Sequence, residues 1–149
     1  MKSKFKGLIL MIGLPIALIS LAINFSGCSD DKKISRQEEV TAALTSGTWK
    51  VNTVAVDGVD KTSTYKDLSL TFTGTSFTST NGGVIWPASG TFTFTDANAT
   101  SIKRNDNLEV QIQEATTASL KLGLTWTKTT LGSGRVESIS GQHVFSFTK

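Results

Sequence analysis

The chain has 149 residues, with 15 basic and 12 acidic residues and a formal net charge of +3. Lys2, Lys4 and Lys6 precede the only cysteine, Cys28, and no acidic residue does, so the remaining chain balances 12 basic against 12 acidic residues. After Cys28 the only adjacent basic pairs are Lys32-Lys33 and Lys103-Arg104, so the sequence lacks the basic stripe that a nucleic-acid partner requires. A single cysteine and a single histidine exclude a structural zinc site. The length suits one small domain.

The N-terminal segment has the pattern of an export signal. Its three lysines form a positive start, and residues 7–25 are apolar apart from one serine and one asparagine. An uncleaved membrane anchor is the alternative, because a spanning helix needs about 17–25 apolar residues. Pro15 in mid-run and the small residues Ser26 and Gly27 favour cleavage before Cys28.

Residues 25–28 read Phe-Ser-Gly-Cys and resemble the lipobox of bacterial lipoproteins. The resemblance implies that residues 1–27 are a signal peptide and that Cys28 is lipidated. Two or three acyl chains would then anchor the protein, since one chain binds a membrane only marginally. The alternative role of Cys28, a disulfide, has no partner cysteine in the chain.

Residues 29–33, Ser-Asp-Asp-Lys-Lys, resemble the acidic export tag of surface lipoproteins of the Bacteroidetes. The resemblance implies an outer-membrane protein, displayed on the cell surface or held at the periplasmic face. The alternative is a solvated linker, which short charged stretches usually are. Residues 28–34 are in either case predicted to be a tether to the domain that follows.

A short helix is predicted over residues 36–46. Ser35 and Glu38 fit a capping box, and the two acids in the first turn suit the helix dipole. Val40, Ala43 and Leu44 share one face, so the helix is expected to dock on the domain.

From residue 48 onward, apolar residues recur at every second position, which is the strand period. On the first strand, Trp49, Val51 and Ala55 are predicted on one face, opposite Val54 and Val56. Turns are predicted at 57–60, at the Asn-Gly-Gly of 81–83 and at 105–107, and a loop at 131–134. The predicted strands cover residues 48–56, 68–73, 76–80, 84–86, 90–95, 100–104, 108–113, 120–126 and 143–147.

The predicted fold class is all-β: a small antiparallel β-barrel or sandwich, built as a meander of eight or nine strands with one short N-terminal helix. Short connections favour the meander. Strands with one apolar face are compatible with both a barrel and a sandwich. The domain is expected to cover residues 35–149.

Several short motifs resemble the lipocalin-like domains of bacterial lipoproteins. They are Gly47-Thr48-Trp49 at the start of the first strand, the run 86–94, and the segments 132–135 and 141–145. The resemblance implies a lipocalin-like meander barrel in which Trp49 plugs the base and Arg135 packs on it. It also implies a role in carrying a small or apolar ligand.

No catalytic constellation stands out, so the chain is predicted not to be an enzyme. His143, the only histidine, shares a face with Phe145 and Phe147 and is expected to be packed or at a rim. Glu109, Glu114 and Glu137 are the carboxylates available for glycoside hydrolysis, and Glu109 falls on a polar strand face. A hydrolase remains a remote alternative.

No metal or cofactor is predicted. Asp57, Asp60 and Asp67, like residues 105–107, are possible calcium ligands, but turn chemistry explains them better.

Two binding roles are expected. The first is a barrel holding a small or apolar ligand in a cavity lined by residues such as Phe72, Phe92, Phe94 and Leu122. The second is an interaction module that contacts a glycan or a partner envelope protein through loops near Trp86. Trp86 and Trp126 are the further candidate ligand contacts, although core packing is favoured even for Trp86.

Overall fold

A computed structural model describes residues 33–128, 130–132 and 135–149, without the side chains of 130–132 and 135–137. The predicted signal peptide, Cys28 and the tether up to residue 32 lie outside the described residues.

Helix α1 spans Arg36–Leu44, and a 3₁₀ turn spans Thr62–Tyr65. The strands are β1 Thr48–Val56, β2 Val59–Asp60, β3 Ser69–Thr73, β4 Ser76–Thr80, β5 Ser89–Phe94, β6 Ser101–Arg104, β7 Glu109–Ala115, β8 Ser119–Trp126, β9 Thr130–Gly132, β10 Arg135–Ser138 and β11 Gly141–Thr148.

Eight of these strands form a closed antiparallel barrel in the order β1-β3-β4-β5-β6-β7-β8-β11. The last strand closes it by pairing with the first, from Lys50 opposite Thr148 to Val56 opposite His143. β2 is an extra strand on the end of β1, and β9 pairs with β10 as a separate hairpin. The prediction of an all-β fold with one short helix is confirmed, and the closure is that of a barrel.

The prediction that Trp49 and Val54 lie on opposite faces of β1 is wrong, because the strand contains a bulge. The register with β11 shifts between Val51 and Thr53, so an extra residue separates the two halves of β1. As a result Trp49 and Val54 are both buried, although strict alternation places them on opposite faces.

Helix α1 lies across one end of the barrel. It contacts β3 and β7, which are diametrically opposite in the ring of eight strands. Both hydrogen bonds of the predicted capping box form, between Ser35 and Glu38, and the helix ends at Leu44. Gln37 fixes the start of the helix to the β5–β6 connection by donating to the carbonyl of Asp96 at 2.7 Å.

The prediction of a hairpin turn at 81–83 followed by a strand at 84–86 is wrong, because these residues belong to the connection from β4 to β5. It is a folded loop in which Trp86 N–H donates to the Gly82 carbonyl, and Ser79 Oγ donates to the Trp86 carbonyl. Ile85 and Trp86 are neighbours, and both are fully buried. Consecutive strand residues point to opposite faces, so this pair cannot lie on a strand with one wet face.

The predicted loop at 131–134 is in part strand. Leu131 and Gly132 belong to β9, while Ser133 and Gly134 lie outside the described residues.

Candidate functional site

The residues expected to line an interior cavity pack on one another. Phe92 is 3% exposed, and the centre of its ring lies 5.8 Å from that of Phe72 and 6.0 Å from that of Phe94. Leu122 is fully buried, and half-buried Phe94 packs against the same core. Edge-on ring pairs at these separations are the geometry of an aromatic core.

Trp86 is also a core residue. It is fully buried, with its ring edge-on to those of Phe77 at 5.7 Å and Phe145 at 6.0 Å. Among the described residues its Nε1–H has no hydrogen-bond partner. Core packing, favoured from the sequence, is therefore the role that its contacts show. Val84, two residues before it, is the exposed apolar side chain of this loop, at 39%.

Trp126 lies at the end of β8 and is only half-buried. Its Nε1–H donates to Ser138 Oγ at 3.2 Å, which links the end of β8 to β10. Of the four predicted ligand contacts, Phe92 and Trp86 are thus buried, whereas Phe94 and Trp126 retain some exposure.

Arg104 is a buried cation that the sequence analysis missed. Its guanidinium carbon lies 5.4 Å from the ring centre of Phe77 and 5.1 Å from that of Trp86. It donates to the Ile85 carbonyl at 2.6 Å and to the Asp106 carboxylate through Nε and a second nitrogen. A signal was present, because Arg104 is two residues after the inward-facing Ile102 and so shares its face.

The Arg104–Asp106 pair joins a buried charge to a partly exposed one. The Arg104 side chain is 1% exposed and that of Asp106 is 42% exposed. Partial burial raises the pKa of Asp106, but the hydrogen bonds and positive charge of Arg104 outweigh it and leave the pKa lowered. Asp106 therefore remains ionised at neutral pH, and Arg104 anchors the β4–β5 loop through the Ile85 carbonyl.

Tyr65 and His143 form a buried polar pair at the same end of the barrel. Tyr65 Oη lies 2.8 Å from His143 Nε2, and His143 Nδ1 lies 3.1 Å from the Gly141 carbonyl. A carbonyl only accepts, so Nδ1 carries the proton and Nε2 accepts from the Tyr65 hydroxyl. Burial lowers the pKa of His143 and raises that of Tyr65. The prediction of a packed histidine is confirmed, and both ring nitrogens are occupied.

Trp49 seals the opposite end of the barrel, where α1 lies. It is fully buried, and its Nε1–H donates to the Leu44 carbonyl at 2.9 Å. The cation over its ring is Lys149, with Nζ 5.0 Å from the ring centre, and the Lys149 stem also passes Gly47. The side chain of Arg135 lies outside the described residues, so its predicted packing on Trp49 stays a prediction.

An open cleft lies on the barrel wall where β7 and β8 separate. Their pairing begins at Gln111 opposite Gly123, yet β7 starts two residues earlier and β8 runs on to Trp126 beside β11. The resulting cleft has a volume of about 270 Å³. The described residues that line it are Leu108, Glu109, Gln111, Leu124, Thr125 and Gln142.

Polar groups dominate this lining. Glu109 Oε1 accepts from Ser101 Oγ at 2.8 Å, and Glu109 lies directly opposite Lys103 in the β6–β7 pairing. Within the part of the chain that the structure describes, the side-chain amides of Gln111 and Gln142 have no hydrogen-bond partner. The cleft therefore offers free donors and acceptors beside an apolar floor. The alternation of β7 indicated the outward direction of Glu109 and Gln111, but not their convergence with β11.

No group of three or more histidine, cysteine or acidic side chains is placed to hold a metal ion within 33–128, 130–132 and 135–149. No helix in the same ranges combines the length and the apolar character needed to cross a membrane.

Comparison of the chain with protein-family models, with curated proteins and with solved structures finds no match.

Proposed function

We propose that this chain is a lipid-anchored cell-envelope protein that serves as a non-enzymatic binding module. The anchor would be at Cys28, and the membrane would be the outer membrane. The support is the ordered series of basic start, apolar run, small residues and lone cysteine in the first 28 residues. A β-barrel is compatible with a binding module, and small barrels bind ligands at their mouths or on their walls.

The cleft between β7 and β8 is the observation that carries the binding role. It brings together polar side chains from three strands, and two of its amides have no partner among the described residues. The interior, by contrast, is occupied around Phe72, Phe92 and Leu122 by their own ring and methyl contacts. Contact through the outer surface is therefore supported better than an apolar ligand inside the barrel.

Metabolic labelling with an alkyne fatty acid tests the anchor. The full chain, expressed in a bacterium with an outer membrane, should take up the label and fractionate with that membrane. Cys28→Ser should lose both properties, because the thiol is the acylated group, whereas the neighbouring Ser29→Ala should keep both. Label retained by Cys28→Ser would refute lipidation at this residue.

Antibody labelling of intact cells separates the two faces of the membrane. Surface display predicts labelling of whole cells, and a periplasmic position predicts labelling only after the outer membrane is opened. Either result leaves the anchor at Cys28 in place.

A further inference from the structure

The charged groups around the β7–β8 cleft favour an uncharged ligand. Among the side chains that the structure describes, its lining has one carboxylate, that of Glu109, and no basic group. Anions are therefore repelled, because no described side chain of the lining offsets their charge. The carboxylate in turn has partial compensation, since it accepts from Ser101 and lies across from Lys103. A cationic ligand is consequently not required to balance the site.

The hydrogen-bonding groups of the cleft match hydroxyls. The primary amides of Gln111 and Gln142 and the hydroxyl of Thr125 each donate and accept, and Glu109 accepts. A ligand hydroxyl also does both, so adjacent hydroxyls can bond an amide through its oxygen and its nitrogen together. Gln111, Thr125 and Gln142 are all exposed, so water rather than protein is displaced when such a ligand binds.

The floor of the cleft and its size complete the match. Leu108 and Leu124 contribute apolar surface, which suits the C–H face of a sugar ring. A volume of about 270 Å³ lies just below the usual range of about 300–1,000 Å³ for small-molecule sites. The space fits a single sugar ring and is too small for a long acyl chain.

We propose that the cleft between β7 and β8 binds a neutral carbohydrate, with one sugar unit held by Glu109, Gln111, Thr125 and Gln142. This inference rests on the proposed binding function and adds the class of ligand. Gln142 and Thr125 hold one side of the ring from β11 and β8, and Gln111 and Glu109 hold the other side from β7. Binding of a single unit is weak, because few groups are buried, so recognition of a longer glycan would use repeated or adjacent contacts.

Two-dimensional amide NMR of the full chain in detergent tests the ligand class. The probes are neutral hexoses and short neutral oligosaccharides, with lysine as the cationic arm and citrate as the anionic arm. Neutral sugars should shift the amides of Glu109, Gln111 and Thr125 in a saturable way, and citrate should not.

Variants then locate the site. Gln142→Ala and Thr125→Ala should each weaken sugar binding about fivefold, the effect of losing one hydrogen bond. Thr78→Ala is the matched control, since it is an exposed strand threonine on β4, diametrically opposite β8 in the ring. Glu109→Gln should abolish any binding of lysine, because it removes the carboxylate that Glu109 contributes to the lining.

The outcomes separate the two proposals. Saturable cleft shifts with lysine but not with sugars would overturn the carbohydrate inference and leave the binding function intact. Sugar shifts that Gln142→Ala and Thr78→Ala affect equally would overturn the assignment to this cleft. If no probe of the three classes shifts the cleft amides, the inference fails, and the support that the cleft gives to a binding role is lost with it.

Discussion

The two ends of the barrel are closed by different means. At the α1 end, Trp49 packs under a helix, its one polar atom is bonded to Leu44, and the nearby cation, Lys149, is exposed. At the other end, the β4–β5 loop inserts Trp86, and Arg104 and the Tyr65–His143 pair are buried with it. One end is thus an apolar seal, and the other holds a charge and several polar groups out of water.

The difference shows where stability depends on individual hydrogen bonds. A buried polar group is tolerated only when it is bonded, and removing its partner leaves the full desolvation penalty. The α1 end should therefore respond to lost packing and to the loss of the bond from Trp49 to Leu44, while the Trp86 end should also respond to the loss of several polar partners and to pH.

The largest effect is expected for Arg104→Ala. It removes the bond to the Ile85 carbonyl, the ion pair with Asp106 and the contacts with two rings, so we expect a loss of about 2–4 kcal/mol in the free energy of unfolding. Lys149→Ala removes the matching cation at the other end, and because that side chain is exposed the loss should be about 0.5 kcal/mol. Urea unfolding of both variants measures the contrast, and equal losses would contradict the distinction between the ends.

The free energy of unfolding is expected to depend on pH through His143. Because burial lowers its pKa in the folded state below the ordinary value of 6.5, protons bind the unfolded chain first as the pH falls. The stability from neutral His143 is complete above about pH 6.5 and declines below it, by at most about 1.4 kcal/mol per pH unit. Unfolding free energies at about pH 7 and 5.5 should differ less in His143→Phe than in the unaltered chain. An unchanged slope in the variant would assign the pH dependence to other groups.

The smallest expected effect is the difference in unfolding free energy between variants of the two buried tryptophans. Trp49→Phe removes the donor to the Leu44 carbonyl, whereas Trp86→Phe removes an Nε1–H that has no partner among the described residues. Both variants lose similar ring area, so Trp49→Phe should cost about 1 kcal/mol more in unfolding free energy. If Trp86→Phe proved the costlier, a bonded water or ligand at its Nε1 would be indicated.

The elements that follow a local rule were predictable. The Ser35–Glu38 capping box, the alternation of β5 and β8 and the turn at 105–107 each depend on neighbouring residues, and each is found as expected. The failures occur where tertiary packing overrides the local pattern. Ile85 and Trp86 are drawn into the barrel instead of continuing a strand, and the bulge in β1 turns Val54 inward.

The candidate site was only partly predictable. Alternation put Glu109 and Gln111 on the outer face of their strand, because the side-chain period is two. Their convergence with Gln142 depends on β11 lying beside β8, a pairing between segments far apart in the chain. The space they line exists because the β7–β8 pairing starts only at Gln111 and Gly123.

The sequence by itself determined the strand period, the capped helix, the balanced charge of the chain after Cys28 and the lone cysteine that motivates the lipid anchor. These depend on residue type and short spacing alone. Only the tertiary structure decided that the sheet closes into a barrel, that Arg104 is buried between Phe77 and Trp86, and that a polar cleft opens between β7 and β8. The physical reason is that strand register and burial are collective: each depends on pairings between distant segments, which no local pattern encodes.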